Sequence, residues 1–197
     1  MNFGITEPLI LASASPRRAN LLDLIGIPYD VQVSGIDESL PGVTEPAELA
    51  RTLALRKAQS VASRQIESGR LVLGADSIVV VDERILGKPA DEMDAESMLR
   101  QILGRQHRVI TGFALVETGS SREVTGHETT KVHMRSANED EVDQYLATGE
   151  SLDKAGAYGA QGFGAGFIER VDGCFYNVVG LPLARLITEI RAFRISR

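Results

Sequence analysis

Two serines and two arginines stand together in "LILASASPRRANLLDLIG", residues 9–26, where a buried apolar segment gives way to a helical pattern. A joint between strand and helix needs only a turn. A helix N-terminus offers unpaired N–H groups and partial positive charge, so it favours an anion such as phosphate. Ser13 and Ser15 add hydroxyl donors, and Arg17 and Arg18 add planar forks matched to phosphate oxygens. A plain N-cap at Ser15 with solvated arginines is the alternative, but cations are disfavoured at this end of a helix and so need a partner.

Four further stretches carry ionisable side chains. Asp76 lies inside "LVLGADSIVVV", where an unpaired carboxylate is costly to bury and Gly74 permits close approach of a backbone or ligand. Asp37 and Glu38 in "GIDE" supply oxygen donors that, with Asp76, suit a hard divalent cation. The alternatives are a structural aspartate satisfied by backbone N–H groups and a solvated acidic turn. Lys57 in "RKA" lies among apolar helix residues, where a lysine ordinarily reaches out to solvent, and Lys88 in "GKP" sits on a turn.

The glycine-rich "GAYGAQGFGAGF" lacks the spacing of G-x-G-x-x-G and precedes a strand-like segment, which excludes a dinucleotide fingerprint. Gln161 within it can both donate and accept, as the edge of a base requires. His107, His127 and His133 show no metal-ligand spacing, and neither a P-loop nor a G-x-S-x-G elbow occurs. Basic, acidic and small donor residues in this combination fit a polyphosphate with a divalent metal better than acyl or hydride transfer.

The elements that must hold these groups alternate. "LILAS" and "YDVQVSG" read as strands, and "EPAELARTLALRKAQSVASRQI" as an amphipathic helix with Leu49, Leu53, Ala54, Ala58 and Val61 near one face. "RLVLGADSIVVVD" reads as a central strand, "DERILGKP" as a hairpin-like turn and "DEMDAESMLRQILG" as a helix. Two antiparallel strands, "HRVITGFALVE" and "REVTGHETTKVHMR", precede a short acidic helix, and "LPLARLITEIRAFR" forms the last helix. Hairpin strands interrupted by glycines are expected over 156–179. Leu21, Leu22, Leu24 and Ile25 are expected to form the apolar face of the first helix. The fold class is α/β, a mixed central sheet flanked by helices, with two lobes and a ligand cleft.

The 197 residues are 43% apolar and 24% charged, with formal net charge −6, and the pI is about 5.2. That balance argues against a general nucleic-acid binder while permitting a local basic pocket. A lone cysteine, Cys174, excludes an intramolecular disulfide and reads as a small buried or half-buried hydrophobe. With no basic, apolar leader and no run long enough to span a membrane, a cytoplasmic protein without membrane partners is expected.

"LILASASPRR", "GIDE", "RKA", "GADS", "GKP", "HRVITG", "DKAGAYGAQGFGAGF" and "VVGLPL" occur in this order. Together they resemble the Maf family, septum-formation-inhibitor-like proteins that are nucleoside triphosphate pyrophosphatases. The likeness runs from Leu9 to about Leu186. It implies a single domain over 1–197, similar in fold to inosine triphosphate pyrophosphatases, with homodimers common. It also implies hydrolysis of a nucleoside triphosphate to monophosphate and pyrophosphate with a divalent cation, Mg²⁺ or Mn²⁺. Phosphate-handling positions fall on Ser13, Arg18, Lys57 and Lys88. Glu38 and Asp76 are the acidic positions, implied metal ligands, with Asp76 the proton acceptor. Base preference falls on Arg17, Ser77 and Gln161, which side with a dTTP/UTP-preferring branch; a 7-methyl-GTP branch carries Trp, Gln and Glu there. Ser77 stands where Thr is common, and Ala165 replaces a glycine. A nucleotide-binding regulator of cell division without hydrolysis is the rival reading.

Overall fold

The computed structural model describes residues 3–5, 7–38 and 42–195. The strands are β1 (Leu9–Leu11), β2 (Tyr29–Val31), β3 (Leu71–Val81), β4 (Arg84–Leu86), β5 (Gln106–Glu117), β6 (Glu123–Met134) and β7 (Ile168–Asp172). The helices are α1 (Pro16–Leu24), α2 (Pro46–Ala62), α3 (Glu92–Ile102), α4 (Glu139–Leu146), α5 (Phe175–Val179) and α6 (Leu183–Ile195). The strands form one sheet in the order β2-β1-β3-β5-β6-β7, with β4 paired to β3. β1 runs parallel to β2 and β3, whereas β3–β4 and β6–β7 are antiparallel, so the sheet is mixed as expected of this α/β chain.

The chain divides into two compact units. The first comprises residues 1–76, 111–128 and 180–197, and the second 77–110 and 129–179. In the first unit, Ile10, Val72, Ala114 and Val116 from the strands, with Ala12 just after β1, meet Ala54, Ala58 and Val61 of α2. Small side chains dominate this layer because α2 lies almost on the sheet. A Cβ on Gly74 would stand 2.1 Å from the Ala54 carbonyl oxygen, and one on Gly112 2.3 Å from that of Ala50. Ala50, Ala54 and Ala58 fall on the stripe that i, i+4, i+8 spacing generates, so glycine meets alanine along the contact. Leu49, expected on this face, is half-buried, and Ala47 and Ala50 take its place.

The core of the second unit is built from larger residues. Leu99 and Ile102 of α3 pack with Val79, Val109, Val132, Met134 and Phe167. Gly104, with φ +69°, follows the end of α3. Asp82 and Glu83, both in the left-handed region, make the β3–β4 turn, and α4 begins with a reciprocal capping box between Asn138 and Glu141.

Three expectations change. Strand β2 ends at Val31, short of the expected "YDVQVSG". In α1 the buried residues are Arg18, Leu21 and Leu22, an i, i+3, i+4 set, which turns Leu24 out to 62% exposure. The region 156–179 is not a run of hairpin strands. It holds short 3₁₀ turns at Ala155–Ala157 and Phe163–Phe167, the single strand β7 and helix α5. Gly156 (φ +69°) and Gly162 (φ +80°) give the backbone directions a strand cannot follow.

Candidate functional site

The first unit gathers Ser13, Arg18, Glu38, Lys57 and Asp76. Strand β1 ends at Leu11, and its last pairing with β3 is the bond from the Ala12 N–H to the Leu73 carbonyl. Ser13, after β1, and Asp76, within β3 beyond Leu73, lie past the carboxyl end of this parallel pairing, where open α/β sheets bind ligands. Ser13 Oγ accepts from the Ser15 N–H at 3.2 Å and from Arg18 Nη1 at 3.1 Å. Two accepted bonds use its acceptor capacity and leave its O–H to donate. Ser15 occupies the N-cap of α1 but its side chain makes no cap bond, and no acidic residue stands in the first turn. The half-buried Arg17 is on that turn.

Arg18 is buried because it shares a helix face with Leu21 and Leu22. Its Nε donates to the Gly180 carbonyl at 3.0 Å, which fixes the fork. Burial lowers its pKa below the ordinary arginine value, Asp76 opposes that shift, Arg17 adds to it and Glu38 opposes it. A guanidinium held charged here has a standing attraction for added negative charge.

Lys57 is also buried, contrary to the solvent-reaching lysine its type suggests, because it lies on the α2 stripe with Leu53, Ala54 and Val61. Its Nζ is 2.5 Å from Asp76 Oδ1 and 2.7 Å from Glu38 Oε1. One ammonium therefore bridges two carboxylates. Asp76 is 8% exposed, and its side chain is met by a lysine rather than by backbone N–H groups alone. Glu38 keeps half of its side chain open to solvent, and Asp37 beside it is exposed.

The second unit carries Ser77, Lys88 and Gln161. Ser77 is half-buried in β3, and Lys88 and Gln161 are exposed. The turn before Lys88 is tied down by the Gly156 N–H, which donates to the Gly87 carbonyl at 3.0 Å. Ala165 lies in the second 3₁₀ turn and is absent from the residues with positive φ, so alanine there carries no backbone strain. The same unit contains two groups to which the sequence assigned no role. Glu150 is hydrogen-bonded to the backbone around Gln161, and His107 Nε2 lies 2.7 Å from the Tyr158 hydroxyl. The signal for Glu150 was its place upstream of the glycine run. For His107 it was the apolar strand around it. Cys174 is half-buried, as expected.

Among the described residues, no group of three or more His, Cys, Asp or Glu side chains is arranged to hold a metal. No helix among them is long and apolar enough to cross a membrane.

Two buried cations, Arg18 and Lys57, and the Asp76 and Glu38 carboxylates gather in the first unit of an α/β protein built on a mixed sheet. The chain belongs to the Maf family: residues 8–193 match the family described as Maf-like protein. A relative from Pelotomaculum thermopropionicum named dTTP/UTP pyrophosphatase is 46% identical over 187 residues, covering 95% of this chain and 97% of the relative. Relatives of the same name from Bacillus cytotoxicus and Bacillus cereus are 48% and 44% identical, covering 95% and 96% of this chain and 96% and 92% of their own.

Proposed function

We propose that this chain is a nucleoside triphosphate pyrophosphatase that converts dTTP and UTP to the monophosphate and pyrophosphate. The observation that supports the reaction is the Lys57 bridge between Asp76 and Glu38 beside buried Arg18. The relatives named dTTP/UTP pyrophosphatase support the choice of nucleotide.

In this reading, water attacks the α-phosphorus and the α–β bridging oxygen leaves with pyrophosphate. Arg18, Lys57, Lys88 and the Ser13 hydroxyl bind the phosphate chain and stabilise the charge that develops on it. Asp76 accepts the proton of the attacking water. Two carboxylates, one of them half-open to solvent, fit Mg²⁺ or Mn²⁺. Such ions keep several waters and bind through one or two carboxylates plus substrate phosphates. Glu38 and Asp76 would hold the ion, which supplies charge neutralisation and a water of lowered pKa. Arg17, Ser77 and Gln161 select the base, with Gln161 facing the imide edge of uracil or thymine.

The protein acts in the cytoplasm as a homodimer without nucleic-acid partners in this account. The reaction is tested by separating monophosphate and pyrophosphate after incubation with dTTP. Products on the wild type and none on Asp76→Asn support it; pyrophosphate release unchanged by Asp76→Asn removes Asp76 from the chemistry.

A further inference from the structure

Gln161 sits exposed between the buried Ala160 and the exposed Gly162 in a glycine-rich loop. A side chain on so permissive a backbone discriminates bases only if something holds the loop still. The Glu150 carboxylate is placed to do so. Its Oε2 accepts the Phe163 N–H at 2.9 Å, and its Oε1 accepts the Gly164 N–H at 3.1 Å and the Tyr145 hydroxyl at 3.3 Å. The loop is shaped around these oxygens. A Cβ on Gly162 would stand 2.4 Å from Glu150 Oε2, and one on Gly159 2.9 Å from Oε1. Gly162 has φ +80° and ψ −150°, a region glycine alone occupies readily. The segment before the loop is secured as well, with Lys154 Nζ donating to the Glu150 carbonyl and to Asp153 Oδ1, both at 2.5 Å.

We infer that Glu150 is the positioning residue for base discrimination: its carboxylate clamps the backbone N–H groups of Phe163 and Gly164 and so fixes the direction of Gln161. This rests on the proposed role of Gln161. Every group meeting the carboxylate oxygens is a donor, so the clamp requires two acceptor oxygens. An amide in the same place presents one acceptor and an N–H₂ that opposes a backbone N–H.

Glu150→Gln, with nearly the same shape, is the test, measured as kcat/KM for dTTP, UTP, dCTP and dATP beside wild type, Gln161→Ala and Tyr145→Phe. For Glu150→Gln the preference for dTTP over dCTP falls about tenfold or more through a raised dTTP KM, while kcat stays within about threefold, because a donor–acceptor pair used only for the correct base is lost. Tyr145→Phe leaves both backbone clamps and keeps the preference. A purely structural role would lower the active fraction and depress all four nucleotides together. A preference unchanged in Glu150→Gln but collapsed in Gln161→Ala overturns the clamp and leaves the proposed function standing. A wild type with no preference for dTTP and UTP overturns both.

Discussion

Lys57 Nζ stands 2.5 Å from Asp76 Oδ1 because α2, which carries the lysine, rests on the strand that carries the aspartate at Gly74. The glycine lies two residues before Asp76 and meets Ala54, one helical turn before Lys57. A backbone contact without side chains thus sets the reach of this buried ion pair. The pair buries two opposite charges whose separation would leave an uncompensated ion inside the first unit.

Gly74→Ala tests that dependence. The new methyl would lie 2.1 Å from the Ala54 carbonyl oxygen, so α2 must lift. Such overpacking costs about 1–3 kcal/mol, and displacing a reacting group by about 1 Å lowers kcat by about a hundredfold. Thermal melting with steady-state kinetics on dTTP reads both. Unchanged kcat would mean that the helix approach does not set the Lys57–Asp76 geometry.

Lys57→Met removes the shared ammonium. The Asp76 and Glu38 carboxylates are then left facing one another, one of them buried. Partial exposure of Glu38 places the expected loss of stability at the lower end of the about 3–5 kcal/mol seen for broken buried pairs. Turnover falls by about a hundredfold or more. Added Mn²⁺ restores part of the lost stability, since a divalent cation can take the place of the ammonium between the carboxylates; melting curves with and without the ion measure this.

Gln161→Glu lowers kcat/KM for both dTTP and UTP by about tenfold or more, because a carboxylate cannot donate to the base edge. Hydrolysis of both at wild-type efficiency would take base recognition away from Gln161.

Stability in mildly acidic solution is set in part by His107, which is 2% exposed. Burial, with a smaller contribution from His133, lowers its pKa from 6.5 to about 4. The unfolded chain therefore binds a proton between those values that the folded chain does not. The neutral-histidine contribution is fully present above pH 6.5 and is lost as pH falls toward 4, a change of about 3 kcal/mol at most. Nδ1 has no hydrogen-bond partner among the described residues, in keeping with a ring held neutral. An NMR titration of the His107 ring showing protonation near 6.5 in the folded protein would contradict this.

Most of the sheet was legible because alternation and β-branched runs report burial directly, as in β3, which is buried at all positions but Ser77. Pro16 and Gly26 marked the ends of α1, and the apolar period marked α2, although that helix stops at Ala62 and does not run on to Ile66. Arg18 and Lys57 stood on buried stripes that the periodicity already contained, yet a charged residue in such a stripe is ordinarily solvated, and only the opposing carboxylates show otherwise. The glycine run was misread because glycine suppresses the pattern that distinguishes strand from turn. Its path depends on Glu150, whose oxygens meet backbone N–H groups 13 and 14 residues further on.

The most direct measurement is product analysis of the pure protein with a panel of nucleoside triphosphates, with and without Mg²⁺ or Mn²⁺. Metal-dependent conversion of dTTP and UTP to monophosphate and pyrophosphate is expected, with 7-methyl-GTP and purine nucleotides turned over poorly. Tight nucleotide binding without pyrophosphate release would contradict it and mark the chain as a nucleotide-binding regulator.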